Sequence, residues 1–276
     1  MSECDHNCSS CSEKCDVPQY DKPHELSRIK RVIAVVSGKG GVGKSSVTAM
    51  LASAMNKKGY KCAVLDADVT GASIPKMFGV NAGLIGDDNG IYPAEDENGI
   101  KIVSSNLLLE HETDPVVWRG PVIAGMVKQF WTDVVWGDVD YMFIDCPPGT
   151  GDVPLTVFQS IKVDGIIVVA TPQELVSMIV EKAINMANMM KIPVLGIVQN
   201  MSYVICPHCN ERIDVFGDGK AIGEVSVKFG LPILAEIPYD AKIIQAADSG
   251  KIGALDLGYA ATAADILESG LPTDRN

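Results

Sequence analysis

Residues 38–46 read Gly38-Lys39-Gly40-Gly41-Val42-Gly43-Lys44-Ser45-Ser46 and hold the densest chemistry in the chain. From Gly38 to Ser45 they satisfy G-x-x-x-x-G-K-[ST], in which glycines let successive backbone N–H groups curl around phosphate oxygens. In such a loop Lys44 reaches the terminal phosphates and the Ser45 hydroxyl sits on Mg²⁺. An apolar β-branched run, residues 32–36, precedes the loop, and a helix-like stretch, residues 45–58, follows it. That order sets a bound phosphate at the positive end of a helix dipole.

Other polar groups stand where apolar strands end, which is where open α/β sheets bind ligands. Asp66-Ala67-Asp68 closes the run at 62–66. Two acids one residue apart can divide labour, one facing a Mg²⁺ shell and one an attacking water. Asp145 closes the run at 141–144, and Cys146-Pro147-Pro148-Gly149 then makes a stiff turn. Asn200 follows the run at 194–199, where its amide offers both a donor and an acceptor.

The eight cysteines fall into groups. Cys206-Pro207-His208-Cys209 supplies two thiolates, half of what a metal or cluster site normally needs, and His208 is a bystander. A two-fold dimer would present four sulfurs around its axis. A shared iron–sulfur cluster, a zinc ion of the same ligand set and a redox dithiol all remain open for this pair. Cys4, Cys8, Cys11 and Cys15, with His6 among them, lie in one short segment that could wrap a cluster or a zinc ion, or stay bare. Cys62 and Cys146 fall in apolar runs and read as core.

The elements that must position these groups follow from periodicity. Strands are expected at 32–37, 62–66, 100–104, 141–145, 165–171, 194–199 and 233–237. Helices are expected at 45–58, 121–135, 154–161, 174–190, 221–229, 241–248 and 258–268. Continuous apolar strands alternating with helices predict an α/β, doubly wound, mainly parallel sheet with helices on both faces. Residues 86–99 carry turn formers at both ends and suggest a surface hairpin. The methionines at 178, 186, 189 and 190 read as core filler. Residues 1–28 form a cysteine-rich tail and Pro-containing tether, and 29–276 the domain proper. Arg28-Ile29-Lys30-Arg31 reads as the lead-in to the first strand.

Composition narrows the function further. Apolar content of 47% and charged content of 21% are those of a globular protein. A net charge of −12 argues against nucleic acid or an anionic membrane as main partner. No apolar run approaches a bilayer span, and the polar, acidic N-terminus is no signal peptide, so a cytoplasmic protein with reduced thiols is expected.

Lys39, just after the first glycine, makes the loop resemble the deviant P-loop of ParA/MinD-class ATPases. That resemblance implies that Lys39 reaches across a dimer interface to the partner's nucleotide. It implies that Asp66-x-Asp68-x-x-Gly71 is the first switch, with Asp68 positioning water and Asp66 near the metal, although the class usually has Pro where Ala72 stands. Asp145 then resembles a Walker B acid, and Asn200 the residue that reads adenine. Trp118-Arg119-Gly120-Pro121, residues 136–152, Asn200-Met201-Ser202 and the Cys206/Cys209 pair stand in the order seen in Mrp/ApbC-like iron–sulfur cluster carriers. The resemblance spans residues 28–268.

It implies a homodimeric ATPase that binds ATP and Mg²⁺, bridges a [4Fe–4S] cluster between Cys206 and Cys209 of two chains, and passes clusters to apoproteins. Longer relatives carry an N-terminal four-cysteine cluster site, a match in kind to Cys4–Cys15 but not in spacing. Two rival functions are a ParA/MinD-type positioning ATPase and an ATP-driven electron donor resembling nitrogenase iron protein.

Overall fold

The central strand of the protein is built from Arg31-Val32-Ile33-Ala34-Val35-Val36-Ser37, every residue of which is buried. Such a run suits a parallel strand covered on both faces. In this computed structural model, which describes residues 20–69, 71–108, 120–255 and 258–273, the strand is β1 (Arg28–Ser37). It continues into α1 (Lys44–Lys57), β2 (Cys62–Asp66), α2 (Ile74–Met77), β3 (Ile85–Asp87), β4 (Gly90–Tyr92), β5 (Ala94–Glu95) and β6 (Lys101–Val103). Then come α3 (Gly120–Thr132), β7 (Asp138–Asp145), α4 (Asp152–Ser160), β8 (Gly165–Ala170), α5 (Glu174–Met189) and β9 (Val194–Gln199). The chain closes with β10 (Val204–Ile205), β11 (Arg212–Ile213), α6 (Lys220–Phe229), β12 (Ile233–Glu236), α7 (Ala241–Asp248) and α8 (Gly258–Gly270).

Eight strands form one sheet in the order β12-β9-β8-β1-β7-β2-β6-β5, parallel except for β5 against β6. Alternate residues of β1 feed two cores. Val32, Ala34 and Val36 pack with α3–α6, whereas Ile33 and Val35 pack with α1, α2, α7 and α8. This is the doubly wound architecture expected from the sequence. Strand order reverses around β1, which lies between β7 and β8, so the crevice beyond its C-terminal end is the natural ligand site.

Several details depart from the sequence expectation. Strand β1 starts at Arg28, not residue 32, because its polar start is partnered. Arg28 and Ile29 pair with Asp138 and Val139. Lys30 Nζ lies 2.8 Å from Asp140, and Arg31 3.3 Å from Asp164. The 86–99 segment divides into a β3–β4 hairpin and β5, which joins the main sheet. The short β10–β11 ribbon was not expected at all. Met186 is buried, but Met178 and Met189 are 59% and 85% exposed, so the methionine face of α5 is only partly core. Residues 20–27 lie against the domain: the Trp131 indole donates to the Asp21 carbonyl at 2.9 Å, and the Trp136 N–H to Ser27 Oγ at 2.8 Å.

Candidate functional site

Residues 38–43 join β1 to α1 as a loop that only glycine can build at its key points. Gly43, the N-cap of α1, has φ of 76°, and a Cβ there would lie 2.2 Å from the Asn200 amide nitrogen. A Cβ on Gly38 would lie 2.0 Å from Ile179. No side chain caps α1, which leaves its first-turn N–H groups to a ligand. The loop bounds a cavity of about 270 Å³ together with Ser37, Lys39, Lys44, Ser45, Ser46, Asp68, Gly71, Ser73, Met77 and Pro148. That is slightly under the ~300–1,000 Å³ typical of small-molecule pockets.

Two carboxylates converge on one ammonium beside this cavity, with a third behind them. Lys44 Nζ lies 2.7 Å from Asp145 Oδ1 and 3.9 Å from Asp68 Oδ2. Ser45 Oγ donates to Asp145 Oδ2 at 2.6 Å, and Thr48 Oγ1 to Asp145 Oδ1 at 2.8 Å. Strand register explains the crowding. Asp66 and Asp145 are direct partners across β2 and β7, an arrangement of like charges that is unfavourable unless neutralised. Burial, and then the Asp145 charge, push the Asp66 carboxyl up to about 8, while Lys44 and Ser104 pull the other way. Asp66 Oδ1 accepts the Asp68 N–H and its Oδ2 the Ser104 hydroxyl, both at 3.1 Å. A divalent cation would relieve this concentration of negative charge, so the donor set fits a hard metal ion.

Lys39 and Asn200 flank the loop. The Lys39 ammonium donates to Gln173 Oε1 at 2.6 Å, an intrachain contact at the start of α5 that the sequence did not foreshadow. Asn200 is buried, and its side-chain amide donates to the Val42 carbonyl at 2.8 Å, bracing the loop from below. One amide hydrogen is thereby committed, leaving a second N–H of the group for a base. Cys146 is fully buried, which raises its thiol to about 12, and Cys62 is likewise buried and pushed upward. Both behave as core.

Cys206 and Cys209 lie in the turn between β10 and β11. The Cys206 N–H donates to the Glu211 carbonyl and the Asn210 N–H to the Cys206 carbonyl, each at 2.9 Å. Asn210 takes a left-handed φ of 60° to close the turn. Backbone N–H groups of Cys209 and His208, with the Cys209 side chain, hold the Cys206 thiol below its usual range. A thiol so disposed is ready to ligate a soft metal. Cys209 is exposed, and its Sγ lies 3.8 Å from Glu211 Oε2. Arg212 anchors the ribbon to Glu236 at 3.1 Å and lies 4.2 Å over the Tyr203 ring. Among the described residues no group of three or more His, Cys, Asp or Glu side chains is arranged to hold a metal ion. Among the described residues, Cys206 and Cys209 thus present a ligand pair there.

Gly38, Lys39, Gly40, Gly41, Val42, Gly43, Lys44, Ser45, Ser46, Asp66, Asp68, Asp145 and Asn200 are thus brought together at the C-terminal ends of β1, β2, β7 and β9. Cys206 and Cys209 stand apart on their ribbon. Cys4, Cys8, Cys11 and Cys15 lie outside the described residues, as do Thr70, Trp118 and Arg119. Sequence reasoning missed Thr48, Ser104 and Gln173. Thr48 stands three residues after Ser45 on α1, hence on the same face, which was its only signal.

Comparison with known proteins gives the chain's family and fold. A family model described as ParA-type, NUBPL iron-transfer P-loop NTPase matches residues 28–268. A Methanocaldococcus jannaschii protein named iron-sulfur cluster carrier protein is 46% identical over 264 residues, covering 91% of this chain and 90% of its own. A Clostridium perfringens protein of the same name is 43% identical over 265 residues, or 89% and 93% of the two chains. The structure of an Archaeoglobus fulgidus nucleotide-binding protein in complex with ADP superposes with a TM-score of 0.75 at 45% identity, over 84% of this chain and 90% of that one. The Pyrococcus furiosus cell division ATPase MinD, 21% identical with a TM-score of 0.59 over 87% and 99%, shares the fold.

Proposed function

We propose that this chain, which belongs to the iron-transfer P-loop NTPase family of ParA type, is an ATP-hydrolysing carrier of iron–sulfur clusters. The observation that carries the reading is the pairing of a phosphate loop closed over Lys44 and Asp145 with an exposed Cys206/Cys209 turn. In this reading the N–H groups of residues 38–45 and the Lys44 ammonium bind the triphosphate. Mg²⁺, held at Ser45 with Asp145 behind it and Asp66 nearby, supplies charge neutralisation. Asp68 orients the attacking water, and Asn200 contributes to reading the base. Lys39 exchanges Gln173 for the phosphates bound by a second copy of the chain.

The cargo is a [4Fe–4S] cluster. One chain offers two thiolates and a cubane needs four, so the carrier works as a homodimer with Cys206 and Cys209 of each copy around the axis. Cys4, Cys8, Cys11 and Cys15 form a second, tail-borne site within residues 1–19, ahead of the residues that lie against the domain. Recipients are apo forms of iron–sulfur proteins, and a cytosolic setting keeps the thiols reduced. One observation favours a carrier over a membrane-positioning ATPase: the net charge of −12 disfavours docking on an anionic membrane surface.

Anaerobic reconstitution with iron and sulfide tests the reading, using protein lacking residues 1–19 to isolate the bridging site. We expect about four irons per dimer with a broad visible absorption, and loss of both in the Cys206→Ser/Cys209→Ser variant. Zinc in place of iron, or a full cluster on a monomer by light scattering, would contradict it.

A further inference from the structure

We propose that Ser104, Ser105 and Asn106, at the end of β6, form a positioning clamp for the acidic loop at 66–72 and thereby set the rate of ATP hydrolysis. The inference rests on the reading above for the hydrolytic step and concerns residues outside every motif in the chain. Three consecutive side chains each grip the loop at a different point. Ser104 Oγ donates to Asp66 Oδ2 at 3.1 Å. Ser105 Oγ donates to the Val69 carbonyl at 3.4 Å, and the Asn106 side-chain amide to the Ala72 carbonyl at 2.9 Å. Successive strand residues face opposite ways, so a straight β6 could not deliver all three. The chain instead turns into a 3₁₀ segment, Ser105–Leu108, directly after the strand.

The clamp is buried where it matters. Ser104, Ser105 and Asp66 are all 0% exposed. The Asn106 N–H donates to Ser104 Oγ at 3.4 Å, so the Ser104 hydroxyl accepts from one side and points its proton at the carboxylate on the other. A hydroxyl with both functions satisfied in the interior is fixed in direction. The loop it fixes carries Asp68, which lines the phosphate cavity 3.9 Å from Lys44 Nζ. Catalytic geometry is sensitive on this scale, since a misplacement of about 1 Å can cost about 10²-fold in rate. None of the three residues contacts the phosphate loop in these bonds, so nucleotide affinity should be insulated from the clamp. Ser104, Ser105 and Asn106 are positioning residues, acting through Asp66 and the loop backbone.

The test compares wild-type protein with Ser104→Ala, Ser104→Thr, Asn106→Asp and Asp68→Asn. Phosphate release at saturating MgATP gives kcat and KM, fluorescence of a mant-labelled ADP gives Kd, and melting reports folding. We expect Ser104→Ala and Asn106→Asp to lower kcat at least about tenfold, with Kd and KM held within about threefold. Ser104→Thr, which keeps the hydroxyl, should stay within about threefold of wild-type kcat. Wild-type kcat in both Ser104→Ala and Asn106→Asp overturns the clamp, as does a parallel loss of kcat, Kd and melting temperature. If the added methyl of Ser104→Thr prevents folding, the half-buried, isosteric Asn106→Asp decides. Unchanged turnover in Asp68→Asn would instead remove the assigned water-positioning role while leaving the clamp result to stand by itself.

Discussion

Replacing Lys44 by Met should do more than abolish hydrolysis: it should destabilise the nucleotide-free protein. Its ammonium is 5% exposed and lies 2.7 Å from an Asp145 carboxylate that is 1% exposed. Asp68 is 3.9 Å away, and Asp66 stands directly across the β2–β7 pair from Asp145. Methionine keeps most of the lysine stem, so the perturbation is the charge and not a cavity. Breaking a buried ion pair from one side typically costs about 3–5 kcal/mol, because the remaining charge is left uncompensated. At roughly 2–4 °C per kcal/mol for domains of about 150–250 residues, that is a drop in melting temperature of about 6–20 °C. Lys44→Met/Asp145→Asn removes both charges and leaves acceptor atoms for Ser45 and Thr48. It should recover most of the lost stability while remaining inactive. Calorimetry of nucleotide-free protein in chelator, paired with phosphate release, reads both quantities. A Lys44→Met protein that melts within about 2 °C of wild type would refute the reasoning, since the pair would then not be holding the carboxylates together.

Asp68→Asn should bind nucleotide with near-wild-type affinity yet hydrolyse it at least about 10²-fold more slowly, which single-turnover phosphate release would measure. The Asp66 carboxyl lies at about 8 in the fold against an ordinary 3.8, so the folded state holds a proton that the unfolded chain gives up. Its contribution to stability is therefore complete below about pH 4 and is lost as pH rises towards 8. Melting curves in chelator should decline more steeply over that window for wild type than for Asp66→Asn, and the opposite ordering would exclude a protonated Asp66. Deleting residues 1–19 should remove about one cluster of iron per chain with ATPase activity retained, and unchanged iron content would leave the tail without a metal role.

The phosphate loop, the strand-terminal acids and the doubly wound sheet were legible because each depends on local pattern. A glycine-rich turn between an apolar run and a helix, or an aspartate closing a run, needs no knowledge of distant partners. The hydroxyls around the site were not legible for the converse reason. Ser104 matters only because β2 and β6 pair with Leu65 opposite Val103, which brings the next residues, Asp66 and Ser104, side by side. Nothing in the string from 100 to 106 distinguishes that serine from a solvated strand end. The contact between Gln173 and Lys39 spans a sequence separation of 134 for the same reason.

The methionines of α5 show the limit from the apolar side. Periodicity says that a helix has a face, but which residues the sheet covers depends on where the helix docks. Met186 lies inside and Met189 outside, although both belong to one apolar pattern. The Cys206/Cys209 turn shows something further. The pair could be seen in the sequence, yet what lowers the Cys206 thiol could not. Backbone N–H groups hold Cys206 low in pKa, and those belong to a turn in which Asn210 adopts φ of 60°. The ribbon is tied to the end of β12 by backbone bonds from the Ser202 N–H to the Ile237 carbonyl and from the Tyr239 N–H to the Tyr203 carbonyl, each at 2.8 Å, with Arg212 reaching Glu236 beside them. Residue types therefore announce the chemistry, whereas strand register and backbone turns decide which copies of a common side chain take part in it.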